Sequence, residues 1–553
     1  MFDPPVQPPA PVPVPPPVTP PGPTPPPPAP PPAPQPPPGP TISQQPASTT
    51  VSAGSDVVFT IAATASGTLT VTWQQSADSG QTWLSAGSIG LTLTLASVVA
   101  GDSGRQVRAQ VCNVVGSEQT CIQSNAAVLT VTVSVAFPAS AVPFAAFDLT
   151  RGQELWMTDG TEAGTVLVKD IRPGTASSGV QSITRAGDLV YFTADDGVHG
   201  RELWRTDGTD TGTAMVIDLN PGLPQGYPIR LTACNGRLFF GGRDAVGLAA
   251  WVTNGTAAGT VRLAAAALDD NPGTALCVNG VFYFNARTSA SGRELWRSDG
   301  TPAGTSLVLD IAPGTSDSTP SEFTVFQDRL HFKASGRLWR SDGTPTGTVQ
   351  VSSSASDPAW MIVHGSTLYF SSQGPFGREP WKSDGTDAGT VMIKNINASL
   401  DSYPYKFTVS NGIVYFGAEQ FSGSQQLWRT DGTEAGTYMV KQITPGSVAT
   451  FGDSMVDVNG TLFFSANDAS YGSELWKSDG TSAGTVLVRD LNPGTNGSNP
   501  TNFRRLGDVL LFSTGVIGFG TELWRSDGTQ AGTVLVKDIC AGPDCSGAPV
   551  FRP

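Results

Sequence analysis

The chain has 553 residues, a net charge of −14 and only 14 % charged residues, and it contains 63 glycines and 46 prolines. This length allows more than one hydrophobic core, and the glycine and proline content favours short strands joined by turns over long helices. The acidic balance argues against a nucleic-acid-binding surface, and the sequence has no apolar run of the ~18 residues that a membrane-spanning helix requires.

Residues 1–40 contain 24 of the 46 prolines. This composition predicts a disordered or polyproline II linker without a core, which acts as a spacer. A ligand for proline-recognition domains is the alternative. Because Met1 leads almost directly into prolines, with no basic or apolar segment, we expect that a signal or lipoprotein segment precedes this start.

Residues 41–135 predict a β-sandwich, with alternating runs separated by Gly, Ser and Asp turns. These runs are Asp56–Ala62, Leu69–Trp73 and Ala127–Val133. Residues 102–109 resemble the corner between strands E and F of immunoglobulin-like domains, and Trp73 stands where their strand C tryptophan would be. Val107 replaces the corner tyrosine and Ala109 the second inter-sheet cysteine, so the resemblance implies such a domain without its inter-sheet disulfide.

Within this region, residues 76–83 fit the Asp-box pattern S-x-D-x-G-x-T-W. In that pattern the aspartate, here Asp78, accepts backbone N–H bonds in a hairpin loop, and the tryptophan, here Trp83, packs beneath it. We interpret this as a folding device without enzymatic meaning.

The rest of the chain repeats one motif nine times, a tryptophan followed three residues later by Asp-Gly-Thr or, once, Asn-Gly-Thr. The tryptophans are Trp156, Trp204, Trp251, Trp296, Trp339, Trp381, Trp428, Trp476 and Trp524. The turn residues are Asp159, Asp207, Asn254, Asp299, Asp342, Asp384, Asp431, Asp479 and Asp527. A steady period of 42 to 48 residues indicates a repeat architecture.

A typical repeat predicts four short strands. They are Thr461–Ala466, Glu474–Ser478, Thr485–Leu491 and a stretch like Thr501–Leu506. Four antiparallel strands of this length match one blade of a β-propeller. The text Glu-Leu-Trp-x-Ser/Thr-Asp-Gly-Thr-x-Ala-Gly-Thr resembles the ELWxxDGT repeat of bacterial exported proteins, and the resemblance implies export and a propeller-like fold over residues 137–553.

The ends of this region predict how a ring closes. Residues 143–147 correspond to the second strand of a blade, so the first strand is missing there. Residues 548–551 resemble that missing strand, as comparison with residues 321–323 shows. We therefore expect the C-terminal segment to complete the first of nine blades. An eight-bladed propeller or an open superhelical stack is the alternative.

The repeated residues predict structural roles. We expect the tryptophans to pack between blades, the alternative being a ring of ligand-stacking aromatics. We expect the aspartates to form Asx turns, since Asn254 keeps the acceptor without the charge; calcium ligation is the alternative. The glutamate before Leu-Trp is expected to bond a neighbouring blade. It occurs at Glu154, Glu202, Glu294, Glu379, Glu474 and Glu522, and is replaced by Ala249, Arg337 and Gln426.

Residues suited to catalysis are few. The three histidines, His199, His331 and His364, fall in different repeats, and no nucleophile, Walker or HExxH motif accompanies them. Candidate carboxylates for a site in the propeller channel are Asp195, Asp196, Asp244, Asp269 and Asp270, with loop solvation as the alternative. No metal or cofactor is expected beyond the calcium alternative.

The six cysteines suit an oxidising compartment. Cys112 and Cys121 flank a hairpin, and Cys540 and Cys545 bracket a short turn, so both are candidate disulfides. For Cys234 and Cys277, free buried thiols are the equal alternative.

Together these features predict an exported cell-surface or secreted binding or adhesion protein that is not an enzyme, with a glycan or surface protein as ligand and no nucleic-acid partner. The alternatives are a polysaccharide hydrolase or lyase, and a passive matrix or envelope protein. If the propeller has a ligand site, it is expected where repeats depart from consensus, in the third repeat at Asn254 and in the fifth at Arg337 and residues 352–354, although drift in tolerant repeats is the favoured explanation of these departures.

Overall fold

The computed structural model describes residues 37–52, 56–78, 80–96, 98, 102–132, 137–221, 225–263, 274–420, 425–443, 455–541, 549 and 551. These residues form strands and turns without an α-helix, so the all-β prediction is confirmed. Contacts divide the chain into two units, residues 1–133 and residues 134–553. Residues 1–36 of the predicted linker lie outside the described part.

The described residues of the first unit form ten strands. They are β1 (Thr41–Gln44), β2 (Thr49–Ser52), β3 (Val57–Thr60), β4 (Ala62–Thr64), β5 (Thr68–Ser76), β6 (Leu84–Ile89), β7 (Thr92–Leu95), β8 (Gln106–Val115), β9 (Glu118–Gln123) and β10 (Ala127–Thr132). The main sheet has the order β2-β10-β8-β5-β6 with β9 on β8, and β3 pairs with β7. The core lies between these sheets, around the fully buried Trp73.

The small residues at two positions of β8 give Trp73 its space. Val107 and Ala109 are buried in the same core as the indole ring. The indole N–H of Trp73 donates to the carbonyl of Gly90 at 2.9 Å, so this large side chain is buried without leaving its polar atom unpaired. Cys112 of β8 and Cys121 of β9 are joined by a disulfide.

In the second unit, the part of the chain that the structure describes forms 35 strands, β11 to β45. Its sheets begin with β11 (Val142–Asp148), β12 (Gly152–Thr158), β13 (Val166–Lys169); β14 (Gln181–Ala186), β15 (Leu189–Asp195), β16 (Arg201–Thr206), β17 (Ala214–Ile217); β18 (Ile229–Cys234), β19 (Arg237–Arg243), β20 (Leu248–Thr253), β21 (Val261–Arg262); β22 (Ala275–Val278), β23 (Val281–Thr288), β24 (Gly292–Ser298), β25 (Ser306–Leu309).

They continue with β26 (Ser321–Phe326), β27 (Arg329–Ala334), β28 (Arg337–Ser341), β29 (Val349–Gln350), β30 (Ser356–His364), β31 (Thr367–Gly374), β32 (Gly377–Ser383), β33 (Val391–Met392); β34 (Tyr405–Ser410), β35 (Ile413–Glu419), β36 (Gln425–Thr430), β37 (Tyr438–Lys441); β38 (Met455–Val458), β39 (Thr461–Asp468), β40 (Gly472–Ser478), β41 (Val486–Arg489); β42 (Thr501–Leu506), β43 (Val509–Val516), β44 (Gly520–Ser526), β45 (Val534–Lys537).

These strands form antiparallel sheets in chain order, three strands in the first and four in most others. The eight-stranded sheet β26 to β33 holds two repeats, joined where Arg337 pairs with Ser356. The stretch Thr501–Leu506 is the first strand of its own sheet, β42, and does not end the preceding one. Each repeat therefore starts one strand earlier than the sequence suggested.

Hydrophobic cores lie between successive sheets. In one of them, Leu155 and Val168 of the first sheet pack against Phe192 and Trp204 of the second. Equivalent leucine, valine, phenylalanine and tryptophan positions build the core between the second and third sheets. Since a buried aromatic side chain removes ~150–250 Å² from water, the repeated tryptophan contributes much of the cohesion between sheets.

The last sheet also contacts the first. Phe144 and Trp156 share a core with Leu523 and Phe551, and the Phe144 and Phe551 rings lie 5.5 Å apart. Arg525 donates to the carbonyl of Gly160 at 3.1 Å, and Lys537 donates to that of Thr165 at 2.8 Å. The same two bonds join a pair of consecutive sheets, from Arg429 to Gly480 and from Lys441 to Thr485.

Candidate functional site

The Asp-Gly-Thr turn is closed by its own side chains. In the eighth repeat, Asp479 Oδ1 accepts the backbone N–H and the hydroxyl of Thr481, each at 2.8 Å. The Thr481 hydroxyl oxygen accepts the N–H of Gly484 at 2.9 Å. These bonds hold the pKa of the Asp479 carboxyl below its usual value. Asn254 Oδ1 accepts the equivalent bonds from Thr256, at 3.1 and 2.8 Å, so the turn forms without a charge.

The repeated tryptophans face the cores between sheets. Trp381, Trp428 and Trp476, for example, are at most 5 % exposed. Phe416 stacks on Trp428 with ring centres 6.5 Å apart. A side chain enclosed in this way offers no surface to a ligand, so the structure does not form the ring of open aromatics that was the alternative.

The glutamate before Leu-Trp is buried and ties its strand to the crossover that leads into the next sheet. Glu474 accepts the N–H and the hydroxyl of Ser498 at 2.7 and 2.6 Å, and the N–H of Leu491 at 3.4 Å. Gln426 accepts the N–H of Ile443 at 2.9 Å at the equivalent place. Burial raises the pKa of Glu474 above its ordinary value.

The histidines do not form a catalytic group. His199 Nδ1 lies 2.7 Å from Asp196 Oδ2, and this bond raises the pKa of His199. His331, on β27, is buried beside Phe326 of β26, and burial lowers the pKa of His331 to about 4. His364 ends β30, a different strand. No two of them share a site.

Two of the candidate channel carboxylates are paired with arginines, and Asp196 is bonded to His199. Asp195 lies 3.5 Å from Arg172, and Asp244 lies 3.3 Å from Arg262. Asp269 and Asp270 fall outside the described residues. Within the described ranges, no group of three or more His, Cys, Asp or Glu side chains could hold a metal ion.

Two disulfides lie wholly within the described residues, Cys112–Cys121 and Cys234–Cys277. The second joins the first strands of two neighbouring sheets, β18 and β22. Cys540 is also disulfide-bonded, but its predicted partner Cys545 lies outside the described residues. In the part of the chain that the structure describes, no helix is long and apolar enough to cross a membrane.

A different set of residues distinguishes the repeats. The first strand of each sheet contacts the first strand of the next. In six of them, two left-handed residues three positions apart open the strand, and we call these residues the rim. The rim consists of Gly179 and Ser182, Tyr227 and Arg230, Thr319 and Glu322, Asp357 and Trp360, Tyr403 and Lys406, and Asn499 and Asn502.

The rim combines backbone strain with variable chemistry. Left-handed φ values cost a non-glycine residue free energy, so they persist where the surrounding structure imposes them. Among the non-glycine residues of the six pairs that the described strands contain, φ ranges from 43° at Tyr403 to 58° at Trp360. Whereas the tryptophan and turn positions are nearly invariant, the rim holds aromatic, acidic, basic and amide side chains.

One part of the rim carries an exposed indole. Trp360 is 47 % exposed, and its backbone N–H donates to Glu322 Oε2 at 2.8 Å. Its ring meets that of Tyr405 edge-on, with centres 6.5 Å apart. Nearby, Asp357 bonds Lys333 at 2.7 Å and also pairs with Arg378. The result is an aromatic surface that also carries charges of both signs.

Beside it lies a cavity of about 620 Å³, which we call the Tyr403 cleft. Its apolar lining is exposed to solvent, with Tyr403 at 51 %, Phe376 at 57 % and Leu400 at 58 %. Two carboxylates, Asp401 and Glu419, share the lining. A bond to Asp401 raises the pKa of the Tyr403 hydroxyl. The cleft therefore joins apolar walls to negative charge.

The cleft belongs to one edge of the sheets, which we call the loop face. Hairpin loops between second and third strands meet the crossovers there, as where Arg378 N–H donates to Asp401 at 2.8 Å. Exposed large apolar residues lie on this face at Leu149, Val198, Tyr227, Val246, Phe376, Leu400, Tyr403, Tyr471, Ile517 and Phe519. The described turns at the opposite edge expose none.

The sequence reasoning missed both the rim and the cleft. Its expected sites are structural: Asn254 closes a turn, and Arg337 donates to the carbonyl of Ser353 at 3.0 Å. A signal was present in the chain, since Ser-x-Pro precedes several first strands, as at residues 402–404 and 498–500. Without the fold, nothing marked that triplet as the start of a strand.

No family model and no curated protein matches the chain. Among solved structures it is similar to puromycin hydrolase, with 11% identity and a TM-score of 0.36 over 65% of this chain and 53% of that one. It is similar to prolyl oligopeptidase B from Galerina marginata, with 11% identity and a TM-score of 0.34 over 62% and 56%. It is also similar to a chimeric titin Z1Z2, with 25% identity and a TM-score of 0.14 over 17% and 95%.

The chain spans about half the length of the puromycin hydrolase and of the oligopeptidase. TM-scores at this level transfer no activity to it. The solved structures that match most of it are a hydrolase and an oligopeptidase and not adhesion proteins, and this contradicts the expectation of a non-enzymatic surface binding or adhesion protein. That prediction was wrong because it inferred a role from domain order alone.

Proposed function

We propose that residues 137–553 form a nine-bladed β-propeller of the ELWxxDGT type, closed between its first and last blades. Cores between consecutive sheets, together with the one that joins Phe144 to Phe551, support a closed ring. We extend the proposal to an exported protein, which the disulfides Cys112–Cys121 and Cys234–Cys277 favour because such bonds persist in oxidising compartments.

The loop face of this propeller binds an extended polypeptide that carries basic and apolar side chains. The Tyr403 cleft is the observation that carries this proposal. Its volume lies in the ~300–1,000 Å³ range of ligand sites, and it combines Tyr403, Phe376 and Leu400 with two carboxylates. An arginine or lysine side chain matches this set, since its aliphatic stem packs on apolar walls while its charge meets the carboxylates.

The apolar residues along the loop face extend the same surface beyond the cleft. Trp360, on the rim of the adjoining sheet, gives a flat exposed ring on which a guanidinium or a peptide side chain can stack. Glu322, bonded to the N–H of Trp360, adds negative charge beside that ring. A ligand of several residues can thus contact two adjacent sheets.

The test uses a fluorescein-labelled hexapeptide of alternating arginine and leucine, with a second peptide in which citrulline replaces arginine. Fluorescence anisotropy on the full chain measures both affinities. We expect the arginine peptide to bind at least ~10-fold more tightly, which is ~1.4 kcal/mol. We also expect this preference to weaken in high salt, since the carboxylates are partly exposed. Equal affinity for the two peptides contradicts the proposal.

Matched variants locate the site. Tyr403→Ala removes a cleft residue that is 51 % exposed, whereas Tyr438→Ala removes a tyrosine that is 44 % exposed on an outer strand. We expect Tyr403→Ala to weaken the arginine peptide about tenfold and Tyr438→Ala to leave its affinity unchanged. If both variants bind as the parent does, the peptide does not occupy the cleft.

A further inference from the structure

The three-stranded first sheet leaves a gap between the first strands of its neighbours. In other sheets a first strand, such as β14 or β42, occupies that place. Here Phe551 fills part of it by packing on Phe144, with ring centres 5.5 Å apart. A cavity of about 250 Å³ occupies another part, and we call it the seam cavity.

Three arginines line the seam cavity, Arg185 of β14 and Arg504 and Arg505 of β42. Its apolar lining includes Phe137 and Phe551. No carboxylate is among the described residues that line it. Such an enclosure is unusual on a chain whose net charge is −14, because negative charge dominates elsewhere.

The arginines are specific to the two strands that flank the gap. Positions equivalent to Arg504 hold Thr184, Thr232, Leu276, Thr324, Ile362, Thr408 and Val456. Those equivalent to Arg505 hold Arg185, Ala233, Cys277, Val325, Val363, Val409 and Asp457. Because basic side chains occur at these positions only beside the seam, the general requirements of the repeat do not explain them.

The fold holds the Arg185 guanidinium at the seam, where it donates to the carbonyl of Phe137 at 2.8 Å. The Arg505 guanidinium donates instead to Asn459 Oδ1 at 2.7 Å and lies 3.7 Å from Asp457, both in the preceding sheet, so it is bound outside the gap. Arg504 is exposed, and its guanidinium forms no hydrogen bond or ion pair with the described residues, so it is available to a ligand.

We propose that the seam cavity binds a small organic anion, a carboxylate or phosphate ester with an apolar body. The guanidinium groups suit planar, bidentate recognition of either oxyanion. The apolar body packs against Phe137 and Phe551. A cavity of ~150 Å³ already holds benzene, so about 250 Å³ accommodates one ring and its acidic group.

Calorimetric titration of the full chain tests this proposal with phenyl phosphate, benzoate and phenol as probes. We expect one saturable site per chain for at least one of the two anions, and no binding of phenol, which lacks the charge. The anion that binds more tightly shows whether the site prefers a phosphate ester or a carboxylate. If neither anion binds saturably at about 1 mM, or if phenol binds as well as both, the proposal is overturned.

Arg504→Gln removes the charge that is free to contact a ligand. The matched control is Arg243→Gln, which removes an exposed arginine at the end of β19. We expect at least a ~10-fold loss of anion affinity for Arg504→Gln, partial rescue by Arg504→Lys, and at most a ~2-fold change for the control. Equal losses of anion affinity in the Arg504→Gln and Arg243→Gln variants overturn the proposed site, because the loss is then explained by the change in net charge alone.

Discussion

Replacing Glu474 by alanine tests the structural role of the buried glutamate. In the folded chain Glu474 accepts the backbone N–H and the hydroxyl of Ser498 at 2.7 and 2.6 Å. The variant leaves both buried donors without an acceptor, at ~1–3 kcal/mol each, so local opening becomes easier by about 4 kcal/mol. Glu474→Gln keeps one acceptor oxygen, as Gln426 does in the seventh repeat, and should cost only about 1–2 kcal/mol.

Hydrogen exchange read by mass spectrometry measures this effect over residues 491–498, the crossover that Glu474 holds. A change of about 4 kcal/mol accelerates exchange roughly 10³-fold in Glu474→Ala, against ~10-fold in Glu474→Gln. The crossover at residues 171–178, held by Glu154 in the same way, is the internal control and should not change. Acceleration below ~10-fold in the alanine variant, or equal effects of the two variants, refutes the reasoning.

Three further outcomes are expected. Burial raises the pKa of Glu202 in the folded chain to about 7 from 4.5, so the protonated carboxyl stabilises the fold. Melting curves should therefore show that stability falls as pH rises from 4.5 through about 7, and that it falls less in Glu202→Gln. Asp479→Ala should lower the free energy of unfolding in urea by about 1 kcal/mol, and Asp479→Asn should lower it less, because Asn254 closes its turn without charge. For the same reason, adding a chelator should not shift the melting temperature. Phe551→Ala should lower the free energy of unfolding by about 3 kcal/mol and speed hydrogen exchange in residues 142–148. Unchanged exchange there argues against the contact between Phe551 and Phe144.

The sequence predicted the repeated features of the fold because they depend on local chemistry. Asp479, Gly480 and Thr481 close a turn through contacts within a few residues, so their spacing suffices to identify it. The fixed distance from Trp476 to the turn likewise predicts a strand followed by a hairpin. Local contacts of this kind do not depend on the position of neighbouring sheets.

The rim could not be predicted from sequence, because it forms where the crossover from one sheet enters the first strand of the next. Tyr403 and Trp360 adopt left-handed φ values that ordinary propensities disfavour for such side chains. The crossover and the buried prolines around them impose this conformation. Likewise, the seam arginines Arg185 and Arg504 lie far apart in sequence, and they meet only because the last sheet contacts the first.

The assignment of strands to repeats also depended on tertiary contacts. Thr501–Leu506 has the alternation of a strand, but sequence alone does not say whether it ends one sheet or begins the next. The pairing of β42 with β43 decides this. A shift of one strand moves the candidate site from the repeated motif to the crossovers, where the repeats differ.

The central claim is that the repeated motif maintains the fold while the variable loop face binds ligand. The most direct measurement compares the affinity of the arginine hexapeptide for Tyr403→Ala and for Asp479→Asn, with melting temperature recorded for each. We expect about a tenfold loss of affinity at unchanged melting temperature for Tyr403→Ala, and unchanged affinity for Asp479→Asn. Retained affinity in Tyr403→Ala, or a comparable loss in Asp479→Asn, would contradict the claim.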